Sequence, residues 1–241
     1  MVFVDILEEL VRAYPEREAF RYRDAESGEV RTVRFDRFLE DVSRAAAYWR
    51  EKQKSLSPEE PFRVGIAADN SYPYFVEYLG VIASGGVFVP LNQSFGAARV
   101  LEFAAEIGIP YMMAGEAQLA DSEYAAELNA AYPTGRLLPL DRVFAESSKC
   151  EALENLYRGE EDDTILMLLS SGTSGRSKIV ELTNGNLCAY PAEVFNGLHA
   201  ERERGTLQHY ENLIILPFFH IGGVIPIMGE LARGNCLFIS N

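Results

Sequence analysis

Short apolar runs alternate with helical stretches through the middle of the chain, and this alternation constrains the fold more than any other feature of the sequence. Residues 63–68, 87–90 and 110–114 are apolar runs of strand length, and the segments between them have the apolar spacing of helices. A strand–helix–strand order of this kind predicts parallel strands joined by right-handed crossovers. We therefore expect an α/β fold with mostly parallel sheets flanked by helices.

Further elements are expected on both sides of this central pattern. Residues 3–14 and 36–51 carry apolar residues at spacings of three and four, which predicts amphipathic helices, the second with Asp36 as its N-cap. The apolar runs on either side of Ser27-Gly28 predict a hairpin. The later elements that we expect, in order, are helix 119–131, strand 137–140, strand 164–169, helix 186–199, strand 213–216, helix 223–232 and strand 236–239.

Charge and cysteine content exclude several classes of protein. The chain has 22 Lys and Arg against 36 Asp and Glu, a net charge of −14, which argues against nucleic-acid binding because phosphate contacts need concentrated cations. The cysteines are odd in number and far apart, so we expect free thiols rather than disulfides or a zinc site.

The longest apolar stretch, residues 213–228, is too short and too interrupted to span a membrane. We expect a cytoplasmic protein.

A loop rich in glycine and hydroxyl groups follows the strand predicted at 164–169. It runs from Ser170 to Lys178 and holds two glycines and two cations. Glycines let backbone N–H groups turn toward a ligand, hydroxyls donate hydrogen bonds, and cations neutralise charge, so the composition indicates an anion-binding loop. It is not a Walker A loop, because Arg176 rather than lysine follows Gly175. A polar turn with no ligand is the alternative interpretation.

Several motifs follow one another in order along the whole chain. They are residues 33–49, residues 79–91 with Gly85-Gly86, the loop region 167–178, the segment 182–186 and the sequence Leu-Pro-Phe-Phe-His-Ile-Gly-Gly at 216–223. Together they resemble the adenylate-forming, or AMP-binding, superfamily of acyl-CoA synthetases, aryl-acid ligases and adenylation domains of nonribosomal peptide synthetases. The resemblance implies that residues 1–241 are part of the large N-terminal domain, with a subdivision near 142–163, and that the C-terminal half and the small C-terminal domain are absent.

This resemblance implies ATP-dependent activation of a small carboxylic acid as an acyl adenylate, followed by thioester formation. A carboxylate is a poor electrophile, and its mixed anhydride with AMP has a good leaving group. The implied cofactors are ATP and Mg²⁺, with coenzyme A or a carrier-protein thiol as acceptor. We therefore expect the intact protein to be an AMP-forming acid–thiol ligase. Without its missing C-terminal part, the chain is expected to bind ATP weakly and to be inactive.

The resemblance also assigns roles to individual residues. His220 is expected to line the acyl pocket near the substrate carboxylate and to act in catalysis with Thr173 and Lys178. The hydroxyls of Thr173 and Ser174 are the expected contacts to Mg²⁺. The expected phosphate-binding residues are Ser170, Ser171, Gly172, Thr173, Ser174, Gly175 and Lys178.

Two residues beside Lys178 depart from the family pattern. Ser177 stands where the family most often has proline, and Ile179 stands where it most often has glycine. A β-branched residue resists positive φ, so either the backbone at Ile179 is extended or the loop has a different shape.

Two other functions stay open: a non-catalytic fold or interaction module, and a Ser/Lys hydrolase of the amidase type, suggested by Ser170-Ser171-Gly172. Exposed sheet edges would favour a homo-oligomer.

Overall fold

The structure is a computed structural model that describes residues 2–24, 27–170 and 177–240. The helices are α1 (Phe3–Ala13), α2 (Phe35–Gln53), α3 (Tyr72–Ala83), α4 (Ala97–Ile107), α5 (Glu116–Ala120), α6 (Ser122–Ala131), α7 (Leu140–Ser147), α8 (Asn184–Gly197), α9 (His199–Glu203) and α10 (Ile221–Ala232). The strands are β1 (Glu18–Arg23), β2 (Val30–Arg34), β3 (Arg63–Ala67), β4 (Val87–Pro90), β5 (Tyr111–Ala114), β6 (Leu137–Pro139), β7 (Thr164–Ser170), β8 (Lys178–Thr183), β9 (Glu211–Ile214) and β10 (Cys236–Ile239).

The strands form two sheets. The six-stranded sheet has the order β6-β5-β3-β4-β7-β8 and is parallel except for β8, which runs antiparallel to β7. The four-stranded sheet has the order β2-β1-β10-β9 and is parallel except for the hairpin of β1 and β2. The expected α/β architecture, with mostly parallel sheets flanked by helices, is confirmed.

Helix α3 lies between the two sheets and is buried on almost every side. On one side the Phe75 ring packs 5.6 Å from that of Phe20 in β1, and on the other the Tyr74 ring lies 5.9 Å from that of Phe88 in β4. A helix enclosed in this way has no solvent-exposed face, which explains why its sequence is mostly apolar, with Glu77 as its one charged residue. Helices α4 and α6 cover the opposite face of the six-stranded sheet, where Val100 and others form a second apolar cluster.

Strand β8 was absent from the elements expected from the sequence. It continues directly from the loop and pairs with β7 from Ser170 opposite Lys178 to Thr164 opposite Thr183. The strand lies at the edge of the sheet, and much of it is exposed, so it lacks the continuous apolar run of a buried strand. The loop expected over residues 170–178 is correspondingly shorter.

Smaller differences occur at the ends of several helices. The expected helix over 119–131 is divided into α5 and α6, because the Asp121 side chain accepts hydrogen bonds from the amides that begin α6. Helix α2 begins at Phe35, so the expectation that Asp36 is its N-cap was wrong. Asp36 lies in the first turn, where it is paired with Arg34.

Two further findings concern classes of protein that the sequence argued against. No helix in the described part of the chain is long and apolar enough to cross a membrane. Cys150, Cys188 and Cys236 are free thiols.

A carboxylate is buried among the helices at Glu77 of α3. Its oxygens accept hydrogen bonds from Trp49 Nε1 of α2, at 2.7 Å, and from Ser147 Oγ of α7, at 2.6 Å. Burial raises the pKa of Glu77 to about 7, although both hydrogen bonds act in the opposite direction. Glu77 therefore joins three helices at a position where its ionisation costs free energy.

This burial predicts a pH dependence of stability. Because folding raises the pKa of Glu77 from 4.5 to about 7, its contribution to the free energy of unfolding is complete below 4.5 and is lost as pH rises through 7. Glu77→Gln should remove this contribution, on the order of 1–3 kcal/mol. Urea denaturation between about pH 4.5 and 8 measures it. The exposed control Glu59→Gln should keep the wild-type slope, and an equal slope in Glu77→Gln would contradict the assignment.

Candidate active site

A cleft lies in the gap between the carboxyl end of strand β4 and the hairpin of β7 and β8. The two strands share one registered pair, Phe88 and Leu166, and β7 is paired with β8 along its other edge from Thr164 to Ser170. The gap lies at the carboxyl ends of parallel strands, where open α/β sheets commonly bind ligands. It has a volume of about 640 Å³. The described residues that line it are Pro90, Asn92, Phe95, Arg99, Leu168, Leu169, Ser170, Ser177, Val180, Leu182, Phe219, His220 and Ile221.

The hairpin of β7 and β8 forms one wall of this cleft. Leu168 is paired with Val180, and Ser170 with Lys178, so these four side chains share one face of the hairpin. Leu168, Val180 and Ser170 line the cleft, and alternation along the strand therefore places the exposed Lys178 side chain at its mouth. The Ser170 hydroxyl donates to the Lys178 carbonyl at 3.2 Å. The two ends of the predicted phosphate-binding loop thus meet beside the cleft.

Most of the predicted phosphate-binding loop lies outside the described residues. This applies to Ser171, Gly172, Thr173, Ser174 and Gly175, and therefore to the predicted Mg²⁺ contacts of Thr173 and Ser174. Their roles stay predictions.

The backbone at Ile179 is extended, which decides between the two alternatives left by the sequence. Ile179 is the second residue of β8 and pairs with Leu169 across the hairpin. No described residue other than glycine has positive φ. The isoleucine in place of the family's common glycine is therefore compatible with the backbone, and its side chain packs against the apolar cluster beneath α4.

A second wall is formed by the segment from Leu216 to His220. The Phe218 side chain is buried, with its ring 5.3 Å from that of Tyr74 in α3. Asn70, in the turn after β3, donates from Nδ2 to the Leu216 carbonyl and accepts at Oδ1 from the Phe218 amide, both at 2.8 Å. The segment is therefore fixed by an aromatic anchor and by one amide side chain that bonds to its backbone twice.

His220 lies at the end of this wall and begins helix α10. Its Nδ1 accepts a hydrogen bond from the Gly222 amide at 3.0 Å, so the neutral ring carries its proton on Nε2. Gly223 is required by the close approach of the helix to the preceding turn, because a Cβ there would lie 2.2 Å from the Pro217 carbonyl oxygen. The sequence around His220 thus holds an imidazole in the cleft lining in a fixed orientation.

The three cleft residues that follow β4 were missed by the analysis of the sequence: Asn92, Phe95 and Arg99. They follow the carboxyl end of β4, a position that the strand order alone marks as a ligand-binding edge. Arg99 is the one formally charged side chain among the described lining residues, and its Nη2 lies 3.5 Å from Ser177 Oγ. The described lining therefore combines apolar walls with a cation, in a chain whose net charge is −14.

Within the described residues, neither a metal-binding cluster nor the cavity beside α4 offers a second location for the site residues predicted from the sequence. The described ranges contain no group of three or more His, Cys, Asp or Glu side chains that could hold a metal ion. A cavity of about 610 Å³ beside α4 is lined by Leu101, Tyr132, Arg136 and others, and it contains none of the residues that the sequence assigned to a site. The cleft between β4 and β7 is the place where Ser170 and His220 come together.

The fold and the cleft define a class of protein, namely an α/β protein with a cleft at the carboxyl ends of a parallel sheet. The chain belongs to the family of AMP-binding enzymes, whose family model matches residues 7–241. The resemblance inferred from the motifs is therefore confirmed.

Individual relatives agree with this membership. The chain is 27% identical over 190 residues to the probable CoA ligase CCL9 of Humulus lupulus, an alignment that covers 72% of the chain and 33% of that ligase. It is similar to the N-terminal subdomain of Klebsiella oxytoca NpsA in complex with 3-hydroxyanthranilyl-AMSN, with 21% identity and a TM-score of 0.72. The alignment covers 99% of this chain and 54% of the NpsA chain. It is also similar to the o-succinylbenzoate CoA synthetase MenE of Bacillus subtilis in complex with ATP and magnesium ion, with 19% identity and a TM-score of 0.69. That alignment covers 97% of this chain and 56% of the MenE chain.

The Asn70 contacts predict local loosening when they are removed. In Asn70→Ala the Phe218 amide loses its acceptor, so its hydrogen exchange should become about 10-fold faster or more, and stability should fall by ~1–2 kcal/mol. Amide exchange resolved by residue measures the first effect and urea denaturation the second. Asn129→Ala, which removes an exposed amide of α6 that donates to Ala125, is the control. Unchanged exchange at Phe218 would show that Asn70 does not hold this wall.

Proposed function

We propose that the whole protein activates a carboxylic acid with ATP as an acyl adenylate and then transfers the acyl group to a thiol. The observation that supports the proposal is one cleft whose lining includes His220 and Ser170, with Lys178 paired to Ser170 across the hairpin beside it. Membership of the AMP-binding enzyme family supports the same reaction. The chain spans a third to about half of the relatives described above, so the activity is proposed for the whole protein.

The proposed reaction has two steps. In the first, a carboxylate oxygen attacks the α-phosphorus of ATP, an oxygen–phosphorus bond forms, and pyrophosphate leaves with the electron pair of the bond between the α-phosphorus and the bridging oxygen. In the second, a thiolate attacks the acyl carbon and AMP leaves. The thiol would be that of coenzyme A or of a carrier protein. The first step concentrates negative charge at the phosphates, so the site must hold the reactants in line and neutralise that charge.

We assign the phosphate side of this work to the loop. Lys178 at the mouth of the cleft supplies positive charge, and Ser170, Ser171, Gly172, Thr173, Ser174 and Gly175 supply hydroxyl and backbone donors. The hydroxyl oxygens of Thr173 and Ser174 are hard donors of the kind that Mg²⁺ accepts, and a bound Mg²⁺ would neutralise phosphate charge. Thr173 and Lys178 are proposed to act in catalysis as well as in binding.

We assign the acid side to His220 and the apolar walls. Leu168, Val180 and Phe219 offer a surface for an apolar acyl group, and His220 Nε2 offers a hydrogen bond to a carboxylate. Residues 1–241 are proposed to act as part of a larger N-terminal domain, and the subdivision near 142–163 stays a prediction.

The other functions receive less support. The amidase alternative needs a catalytic lysine close to the serines of Ser170-Ser171-Gly172, and family membership favours adenylate formation instead. A non-catalytic module is the conclusion if acid-dependent exchange fails with every acid tested. Self-association stays a prediction; Leu213, Ile215 and Leu216 are exposed on and beside the edge strand β9.

The contribution of Lys178 is tested by pyrophosphate exchange. Labelled pyrophosphate should enter ATP only in the presence of the correct acid, and Lys178→Ala in the whole protein should slow this exchange by about 100-fold or more. Stability should change by less than about 0.5 kcal/mol, because the side chain is exposed. Lys54→Ala, which removes an exposed lysine paired with Glu51, is the control. Exchange at the wild-type rate in Lys178→Ala would remove Lys178 from the mechanism.

The role of His220 is tested by two substitutions that separate catalysis from helix capping. His220→Ala removes the imidazole and the cap, whereas His220→Asn keeps a side-chain acceptor for the Gly222 amide. If the imidazole acts on the acid, both variants should lower kcat/KM for the acid by roughly 10-fold or more with little change in ATP affinity. Steady-state kinetics in acid and in ATP measure this. Recovery of wild-type kinetics in His220→Asn would mean that His220 serves only as the cap.

A further inference from the structure

Two aromatic rings fix the guanidinium group of Arg99 in the cleft wall. Its Cζ lies 4.8 Å from the ring centroid of Phe103 in α4 and 5.8 Å from that of Phe95 in the turn before α4. Such contacts use the face of the guanidinium and leave its N–H groups at the edge. The two rings therefore orient the side chain before any ligand arrives and leave the edge of the guanidinium accessible.

The N–H groups of Arg99 make only long contacts in the described part of the chain. Nη2 lies 3.5 Å from Ser177 Oγ, and Nη1 lies 3.5 Å from Glu102 Oε2. Both distances exceed those of good hydrogen bonds, and a guanidinium has five N–H donors. The side chain is 43% exposed. Arg99 thus has donors that a ligand in the cleft can use.

The location of Arg99 indicates which part of a ligand it meets. Ser177, the neighbour of Arg99, directly precedes Lys178, so the guanidinium lies beside the C-terminal end of the predicted phosphate loop. Lys178 comes from β8 and Arg99 from α4, so two separate elements bring cations to the same end of the loop. A planar guanidinium binds two phosphate oxygens at once, which an ammonium group cannot do in the same geometry.

We propose that Arg99 binds the β- and γ-phosphates of ATP, and the pyrophosphate formed from them, as a second cation besides Lys178. The proposal rests on the proposed function and adds a binding residue to it. A carboxylate carries the same kind of anionic oxygen, so binding of the acid by Arg99 is the competing outcome.

Calorimetric titration of the protein with ATP, AMP and inorganic pyrophosphate tests the proposal. Arg99→Gln should weaken ATP and pyrophosphate binding by about 10-fold or more, and AMP binding by less than about twofold, because AMP lacks the two outer phosphates. Arg99→Lys keeps the charge without the planar fork and should recover part of the loss. The control is Arg136→Gln, since Arg136 is also stacked on an aromatic ring, 4.6 Å from that of Tyr111, but lies outside the cleft lining.

Three results would overturn the proposal. They are unchanged ATP and pyrophosphate affinity in Arg99→Gln, an equal loss for AMP and ATP, and a loss confined to the KM for the acid. Failure of the proposed function has a different signature. The wild-type protein would then show no acid-dependent pyrophosphate exchange, whereas the ratio of pyrophosphate affinities between wild type and Arg99→Gln would still report on Arg99.

Discussion

The candidate site depends on the point at which β4 ends beside the longer strand β7. Neighbouring parallel strands normally continue to pair, but these two share the single registered pair of Phe88 and Leu166. Strand β4 ends at Pro90, whereas β7 continues to Ser170 and is paired with β8 along its other edge from Thr164 onward. The same hairpin brings Ser170 and Lys178 together and closes the loop between them.

The wall opposite the hairpin has to be held by other means, because residues 215–220 lie between β9 and α10 and form no ladder. Phe218 supplies burial, and the Asn70 side chain takes the place of a neighbouring strand by bonding to one carbonyl and one amide. Both contacts come from elements attached to the six-stranded sheet, β3 through its following turn and α3. His220 is consequently positioned relative to β7 by the sheet itself, which is what a site with reactants held in line requires.

The sequence predicted the order of the main elements and the family, because buried strands and enclosed helices leave long apolar patterns. It missed β8, whose exposed edge position gives no such pattern, and it missed Asn70 and Arg99, which belong to no motif. Their importance arises from strand order: β3, β4 and β7 are adjacent in the sheet although they are far apart in the chain. Pairing of this kind is a tertiary property that local periodicity does not contain.

Electrostatics also depend on this assembly. A chain with a net charge of −14 repels anions at long range, so the proposed binding of ATP requires cations close to its phosphates. Arg99 is fixed by aromatic rings and Lys178 by its place on the hairpin, so neither cation depends on the other for its position. Glu102, the nearest carboxylate to Arg99, is exposed and 3.5 Å away, a distance at which solvent weakens the attraction. The protein therefore neutralises only part of the positive charge at this end of the cleft, and an anionic ligand can neutralise the rest.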